Sequence, residues 1–265
     1  MRVSVVTISL NQARFLEQAI RSVIEQDHDD IEYIVVDPGS TDGSREIIDR
    51  YRSRIAKVIL EPDSGPGDGL NGGFAQASGE IYGYLNADDV YLPGALRAAC
   101  DIFARRKHID VLSAHCYIID ENGRTLQKAF SHKFDLTRYA AGCCVLIQQS
   151  TFFRSQAFKQ TRGFNPSNRI SWDGELALDL ALAGARFEVV QDYWSCFRIH
   201  PASLTGSKDQ QEKHSKERTR LAARIGLAGM SRLQRTFLWV IGWLGQPMTL
   251  ALRLVDGIVH PVRRV

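Results

Sequence analysis

The run Asn86-Ala87-Asp88-Asp89 contains the residue types in this sequence that are best suited to chemistry. Its two adjacent carboxylates follow an apolar stretch and have no cation close by in the sequence. Like charges at that distance raise each other's pKa unless a cation neutralises them. A hard divalent ion takes oxygen ligands and also bridges a diphosphate, so the pair predicts an Mg²⁺ or Mn²⁺ site. The simpler alternative is an acidic pair placed before a helix that starts near Pro93, where the helix dipole favours negative charge.

Three further clusters of polar residues stand where predicted strands end. In an open parallel sheet, ligands bind beyond the carboxyl ends of the strands. Each cluster alone is also typical of a turn. Four clusters at the same edge of one sheet favour a binding site. The three clusters are Thr7-Ile8-Ser9-Leu10-Asn11, Asp37-Pro38-Gly39-Ser40-Thr41-Asp42 and Glu61-Pro62-Asp63-Ser64-Gly65.

The elements that must position these residues alternate between strand and helix patterns over the first 115 residues. Short runs rich in β-branched residues predict strands at 3–8, 31–36, 58–60, 81–85 and 109–113. Helices are predicted from Asn11 as an N-cap to residue 24, at 44–52, at 74–77 and from Pro93 onward. Repeated β-α-β units call for a parallel sheet covered on both faces by helices. Beyond this part, the pattern predicts a hairpin at 117–124, a helix at 173–184 and a strand at 187–190.

In this order, the motifs resemble those of the family 2 glycosyltransferases, over roughly residues 1–205. The resemblance implies the GT-A fold, a Rossmann-like α/β fold with a mostly parallel central sheet flanked by helices; here a C-terminal helical extension follows. It also implies an inverting transfer of a sugar from a nucleotide-diphosphate sugar, with a UDP-sugar favoured, to a hydroxyl acceptor. Besides the four clusters, residues 22–26, 31–36, 68–71 and 77–80 carry the resemblance.

The resemblance also assigns roles within the donor site. Asp88 and Asp89 would serve the divalent metal, Mn²⁺ or Mg²⁺, and the sugar diphosphate. Pro38 stands where many members of the family carry Asp or Gly. The residues expected to bind the nucleotide sugar are Thr7, Ser9, Asn11, Asp37, Ser40, Asp63, Asp68, Asn71, Asn86 and Asp88, with Thr7, Ser9 and Asp37 on the nucleoside.

Asp173 is the expected catalytic base, and Glu175 is the alternative. Both belong to Ser171-Trp172-Asp173-Gly174-Glu175, which resembles the acidic motif that supplies the base in this family. Inversion at the anomeric carbon needs a carboxylate that takes the proton from the attacking acceptor hydroxyl. The simpler explanation for both acids is the favourable dipole at a helix start.

The segment 197–205 resembles the family pattern Arg-x-His-x-x-Ser, which follows the last strand of the catalytic domain. The resemblance gives His200 a place at the metal or diphosphate. Arg198 is expected to pair either with phosphate or with a surface acid. Gly142 resembles the glycine of the acceptor loop.

The charge of the chain is unevenly distributed. Its formal net charge is +3, but residues 207–265 contain eleven Lys/Arg against four Asp/Glu, a net charge of +7, which leaves about −4 for residues 1–206. We therefore expect a catalytic domain at 1–206 and a basic amphipathic helical tail at 207–265. The apolar part of the tail, 237–259, is interrupted by polar residues and is too broken to span a membrane. The tail is expected either to lie on an anionic membrane, where the acceptor would be a lipid-linked or cell-surface glycan precursor, or to pack on protein.

Other classes of protein fit the sequence less well. Five cysteines without a CxxC pair and the lack of a signal-peptide pattern favour a reduced, cytoplasmic location, at most peripheral on the membrane. The run Gly67-Asp68-Gly69-Leu70-Asn71-Gly72 satisfies a dinucleotide-binding pattern, but it follows the third strand at a distance and not the first strand in a tight turn. No nucleic acid is expected as a partner. A nucleotidyltransferase and a non-catalytic nucleotide-sugar-binding relative remain as alternatives.

Overall fold

The computed structural model describes residues 1–201, 208–227 and 229–244, and nine strands of this part form one sheet. The strands are β1 (Val3–Ile8), β2 (Ile31–Val36), β3 (Lys57–Ile59), β4 (Ile81–Asn86), β5 (Val90–Tyr91), β6 (Val111–Ile119), β7 (Thr125–Ala129), β8 (Thr151–Arg154) and β9 (Phe187–Arg198). The helices are α1 (Ala13–Ile24), α2 (Ser44–Arg50), α3 (Pro66–Ala75), α4 (Ala95–Arg105), α5 (Leu136–Ala140), α6 (Ser155–Phe158), α7 (Trp172–Leu182), α8 (Lys208–Ala223) and α9 (Arg232–Leu244). The sheet order is β3-β2-β1-β4-β8-β6-β9-β5, with β7 paired to β6.

The first half of the chain builds a parallel sheet in the order β3-β2-β1-β4. Successive side chains of a strand point to opposite faces, and the buried residues of β1 show this. Val5 packs with Leu16 of α1 on one face. Val6 packs with Phe74 of α3 on the other face. Both faces of the strand are therefore covered, which explains why residues 3–7 are all buried instead of alternating between buried and exposed.

The second half of the chain extends the sheet with antiparallel strands. β8 lies between β4 and β6 and is antiparallel to both. β9 runs parallel to β6 over its whole length, with register shifts near His115. The short β5 pairs with β9 through Val90 and Cys196. This last pairing brings the residues after β4 next to the end of β9.

The predicted α/β class with a mostly parallel sheet is confirmed, and two details differ from the prediction. Six of the nine strands run in the same direction, and β8 between β4 and β6 is one of the three that run against them. Helix α3 starts at Pro66 and includes the Gly-rich stretch, which the prediction placed in a loop. Asn11 is not the N-cap of α1: Gln12 is, and Asn11 adopts a positive φ of 52°.

Part of the predicted tail packs on the catalytic domain. Leu221 and Ala222 of α8 are buried, and Arg220 of α8 and Arg224 directly after it form ion pairs with α7. Helix α9 instead exposes four apolar residues, Leu233, Phe237, Val240 and Ile241, at helical spacing on one face. No helix in the described part of the chain is both long and apolar enough to span a membrane. The division of the chain at residue 206 stays a prediction, and the end of the apolar segment, residues 245–259, lies outside the described residues.

Candidate active site

A cleft with a volume of about 400 Å³ opens at the carboxyl ends of β1 and β4. This is the sheet edge where ligands bind in open α/β folds. The cleft combines polar side chains from the strand ends with an apolar wall. Its lining residues are Ile8, Ser9, Leu10, Gln12, Pro38, Asp63, Gly65, Pro66, Asn86, Ala87, Asp88, Trp172 and Phe197.

Asp88 and His200 meet at this cleft although 112 residues separate them. The two side-chain atoms, Asp88 Oδ2 and His200 Nε2, are 3.1 Å apart. The pairing of β5 with β9 brings the two loops together, and the His200 ring packs on Phe15 of α1. Two of the three predicted metal ligands, Asp88 and His200, are therefore neighbours, but in the described part of the chain no three His, Cys, Asp or Glu side chains form a metal-binding group.

Asp89 is turned away from the cleft, and this corrects the prediction that both acids hold the metal. Its side chain is fully buried. It accepts hydrogen bonds from the Arg198 backbone N–H and the Gln149 side-chain amide, both at 2.9 Å, and a longer one from Asn86. Burial, together with the neighbouring charge of Asp88, raises the pKa of Asp89 well above its usual range. Asp89 therefore shapes the loop that presents Asp88.

Arg198 likewise has a different role from a phosphate ligand. Its guanidinium is buried over the Phe15 ring and donates to the carbonyls of Asp88 and Asp120 and to the side chain of Gln18. The N–H groups of the Arg198 guanidinium thus donate to other atoms of the protein. Arg198 fastens the end of β9 to the loop that carries Asp88.

Ser9, which lines the cleft, and Asp37, which precedes the cleft residue Pro38, each carry a buried side-chain atom without a partner. Among the described residues, Asp37 Oδ2 and Ser9 Oγ are buried side-chain atoms that form no hydrogen bond. The other carboxylate oxygen of Asp37 accepts from the N–H groups of Gly39 and Ser40 and from Arg45. Buried polar groups are almost always satisfied, so these two atoms are candidates for hydrogen bonds with a ligand or an ordered water.

Four of the residues expected in the donor site are held by other parts of the protein and do not line the cleft. Thr7 is buried and accepts from the Tyr33 hydroxyl. Asn11 and Ser40 join two strand-end loops, because the Asn11 N–H donates to Ser40 Oγ. Asn71 donates to the carbonyl of Phe164 and accepts from its N–H, which fixes α3 to the segment before α7.

The loop between β3 and α3 places Asp63 in the cleft and keeps Asp68 out of it. Asp68 accepts from the Ser64 backbone and hydroxyl and so closes the start of α3. Asp63 accepts from the Gly65 N–H, and burial raises its pKa. A Cβ on Gly69 would lie 2.6 Å from Asp63 Oδ2, so glycine is what allows α3 to approach this carboxylate.

Asp173 lines a second cavity, of about 210 Å³, that adjoins the cleft. The boundary between the two cavities includes Trp172, which lines the cleft, and Gln148, which lines the second cavity and accepts a hydrogen bond from Asn86. The Asp173 side chain is partly buried, and burial raises the pKa of its carboxyl group. A raised pKa makes an aspartate a stronger base.

Glu175 is engaged in a different task from Asp173. It is fully buried and forms ion pairs with Arg162, Arg220 and Arg224. Burial alone would raise its pKa, but hydrogen bonds from Arg220, Asn168 and Asn165 and the charge of Arg220 lower the pKa to about 2. A carboxylate so well stabilised in its charged form is a poor proton acceptor. The geometry therefore favours Asp173 over Glu175 as the base.

Three residues of the site were not predicted as site residues. Gln148 and Gln149 reach Asn86 and Asp89 from a loop some 60 residues later, and only the folded sheet brings them there. Trp172 was recognised as part of the acidic motif but not as a wall of the cleft.

Comparisons with known proteins identify the family. The model of "Glycosyl transferase family 2" matches residues 4–166. An uncharacterized glycosyltransferase of Nostoc sp. is 31% identical over 231 residues, which cover 81% of this chain and 71% of that protein. The putative teichuronic acid biosynthesis glycosyltransferase TuaG of Bacillus subtilis is 35% identical over 107 residues, which cover 39% of this chain and 42% of that protein.

Solved structures share the fold. S. aureus TarS 1–349 in complex with UDP-GlcNAc superposes with a TM-score of 0.69 at 19% identity, covering 95% of this chain and 76% of that one. The mannosyltransferase PcManGT from Pyrobaculum calidifontis, in complex with GDP-Man and Mn²⁺, gives a TM-score of 0.66 at 19% identity, covering 100% and 76%. The predicted GT-A fold is confirmed. The family match and the sequence relatives together show that the chain belongs to glycosyl transferase family 2 and is a glycosyltransferase.

Proposed function

We propose that this chain transfers a sugar from a UDP-sugar to a hydroxyl acceptor with inversion of the anomeric carbon. The observation that carries the proposal is the Asp173 carboxylate, which lies in a cavity that adjoins the donor cleft and has a pKa raised by burial. As the acceptor oxygen bonds to the anomeric carbon, its proton passes to Asp173. The bond between that carbon and the diphosphate oxygen breaks, and UDP leaves with the bonding electrons.

The unpaired acceptors Asp37 Oδ2 and Ser9 Oγ support a nucleoside at the inner end of the cleft. A uracil ring offers an N–H donor and a ribose offers hydroxyl donors, and either satisfies a buried acceptor. TarS binds UDP-GlcNAc in its solved complex, at a TM-score of 0.69 to this chain. On this assignment, Asp63, Asn86 and Asp88 face the diphosphate and the donor sugar, and Pro38 lies beside the base.

A divalent ion fits the pair formed by Asp88 and His200. A carboxylate oxygen and an imidazole nitrogen at 3.1 Å supply two ligands, and Mn²⁺ or Mg²⁺ bound to a nucleotide takes further oxygens from the diphosphate and water. PcManGT holds Mn²⁺ with GDP-Man in its solved complex. The ion would stabilise the negative charge of the departing diphosphate as a Lewis acid.

The proposal is tested with Asp173→Asn, which keeps the shape of the side chain and removes the base. We expect UDP binding, measured by calorimetry, to stay within about twofold of the wild type, while UDP release from UDP-sugars falls by about 10²–10⁴-fold. Full turnover in this variant would refute Asp173 as the base. If the wild type binds UDP but shows no turnover across a panel of UDP-sugars and acceptors, the result would favour a non-catalytic binding protein.

We also propose that the acceptor is a lipid-linked or cell-surface glycan precursor, reached by peripheral contact with the cytoplasmic face of the membrane. The exposed apolar face of α9 and the net charge of +7 over residues 207–265 support this, because such a helix binds an anionic interface. In flotation with anionic liposomes, the intact chain should rise with the vesicles. The triple variant Leu233→Gln, Phe237→Gln and Ile241→Gln should remain below, and equal flotation of both proteins would contradict the proposal.

A further inference from the structure

We propose that α8 forms a wall of the acceptor pocket and that His214 on this helix is a positioning residue for the Asp173 carboxylate. The inference rests on the proposed function of Asp173 as the base. The lining of the cavity around Asp173 brings together distant parts of the chain, among them Gln148, Tyr139 of α5, Ser171 with α7, and His214 of α8. The rest of its lining is largely apolar, and its volume of about 210 Å³ suits one hydroxyl-bearing ring and not an extended oligosaccharide.

His214 lines the same cavity as Asp173, and both residues lie after residue 166, where the match to the family model ends. Its Nδ1 lies 3.3 Å from Ser171 Oγ, two residues before Asp173. In its charged form, the His214 ring opposes the effect of burial on Asp173 and favours the carboxylate. Among the described residues, Tyr84 and Tyr139 also interact electrostatically with Asp173, and burial raises the pKa of both hydroxyls, so both remain neutral.

Helix α8 is fixed in place by the same turn of α7 that carries the base. Arg220 of α8 and Arg224, directly after its last residue, donate to the buried Glu175, and Arg224 also pairs with Asp179. Glu175 is two residues after Asp173, so the position of α8 is tied directly to that of the base. In this arrangement Asp173 accepts the proton, and Glu175 holds the helix that completes the pocket.

The loop before Gln148 also packs closely against α8. Gly142 has a φ of 76°, and a Cβ at this position would collide with the Arg218 guanidinium. Gly174, next to Asp173, similarly leaves room for the Tyr139 hydroxyl. Glycines on both sides of the pocket therefore allow α5, α7 and α8 to pack closely around it.

The first test observes the contact without turnover. In the full chain, the imidazole ¹H–¹³C resonance of His214 is assigned with the His214→Gln variant. It is then compared between wild type and Asp173→Asn, and during titration with octyl glucoside and octyl galactoside as acceptor probes. We expect the resonance to move in Asp173→Asn and to move with at least one glycoside, but not in Glu212→Gln, a change at an exposed pair on the same helix. A resonance that responds to neither Asp173→Asn nor the glycosides would overturn the inference.

The second test measures rates of UDP release from UDP-sugars, with water and with each octyl glycoside as the acceptor. For His214→Gln we expect the rate to fall by about 10- to 100-fold, as a misplaced catalytic group does, with UDP affinity and the melting temperature close to those of the wild type. His214→Ala, which also loses the hydrogen bond with Ser171, should lose more activity. Lys216→Ala, an exposed change on the same helix, should behave as the wild type.

The two tests also separate this inference from the proposed function. If wild type has no turnover but the His214 resonance responds to Asp173→Asn and to the glycosides, the pocket stands and the assigned chemistry fails. If Asp173→Asn abolishes turnover while His214→Gln retains the wild-type rate and acceptor KM, the chemistry stands and the role of His214 fails.

Discussion

Replacing Glu175 by Gln isolates the charge that binds α8 to α7. The side chain keeps its size, but Arg162, Arg220 and Arg224 then face each other without the buried carboxylate. The interactions of Glu175 lower its pKa from 4.5 to about 2. At 1.36 kcal/mol per pKa unit, this corresponds to about 3 kcal/mol of folding free energy.

The stabilisation has a defined dependence on pH. Because the pKa of Glu175 is lower in the folded state than in the unfolded chain, its contribution is fully present above the unfolded value of 4.5. The contribution declines as the pH falls toward about 2, and it is about half its full size near pH 3. We therefore expect Glu175→Gln to lower the free energy of unfolding by about 3 kcal/mol near pH 7, and by about half as much near pH 3.

Urea unfolding followed by circular dichroism measures both differences, and the melting temperature should fall by about 6–12 °C near pH 7. Glu212→Gln is the matched control, since it removes the charge of an exposed pair with Lys216 on the same helix. The control should change stability by less than about 0.5 kcal/mol. A Glu175→Gln protein as stable as the wild type near pH 7, or a difference that does not shrink in acid, would refute the reasoning.

Three further predictions concern the donor cleft, the base and helix α3. Asp37→Asn removes the unpaired carboxylate oxygen and should weaken UDP binding by about 10- to 100-fold, measured by calorimetry, because a buried hydrogen bond to a charged acceptor is lost; unchanged affinity would contradict the assignment. Burial raises the pKa of Asp173, so the rate of sugar transfer should fall on acidification at a pH above the usual aspartate pKa of about 4. A rate that stays unchanged down to about pH 4 would argue against a raised pKa of the base. Gly73→Ala should lower the free energy of unfolding by about 1–3 kcal/mol, because the new Cβ would lie 2.5 Å from Val6. Gly72→Ala has open space around the new Cβ and should raise the free energy of unfolding by about 0.5–1 kcal/mol. Equal urea midpoints for these two variants would show that the close contact has no effect.

The sequence predicted best where local pattern and final environment agree. The runs of β1 and β2 are rich in β-branched residues and are buried on both faces, so their bounds were predicted to the residue. Helix α3 was predicted to begin only at residue 74 instead of Pro66, because glycine disfavours helix by its own propensity. Packing overrides that propensity here, since Gly69 and Gly73 let the helix approach Asp63 and Val6.

The site could be predicted only as far as its residue types. The motifs identified Asp37, Asp88 and Asp173, but not which oxygens remain unpaired or that Asp89 faces inward. Those facts depend on partners distant in sequence, such as the Arg198 backbone N–H on Asp89. The spacing of residues along the chain does not predict such contacts.

The connection between β9 and the loop at Asp88 has a consequence for the order of folding. Arg198 and His200 hold this loop across more than 100 residues of chain, so closing that contact costs more chain entropy than forming the local β-α-β units. Contacts of such long range slow folding. During synthesis on the ribosome, the strands β1 to β4 emerge well before β9, and we expect the nascent chain to gain affinity for nucleotide only when β9 has been added to the sheet.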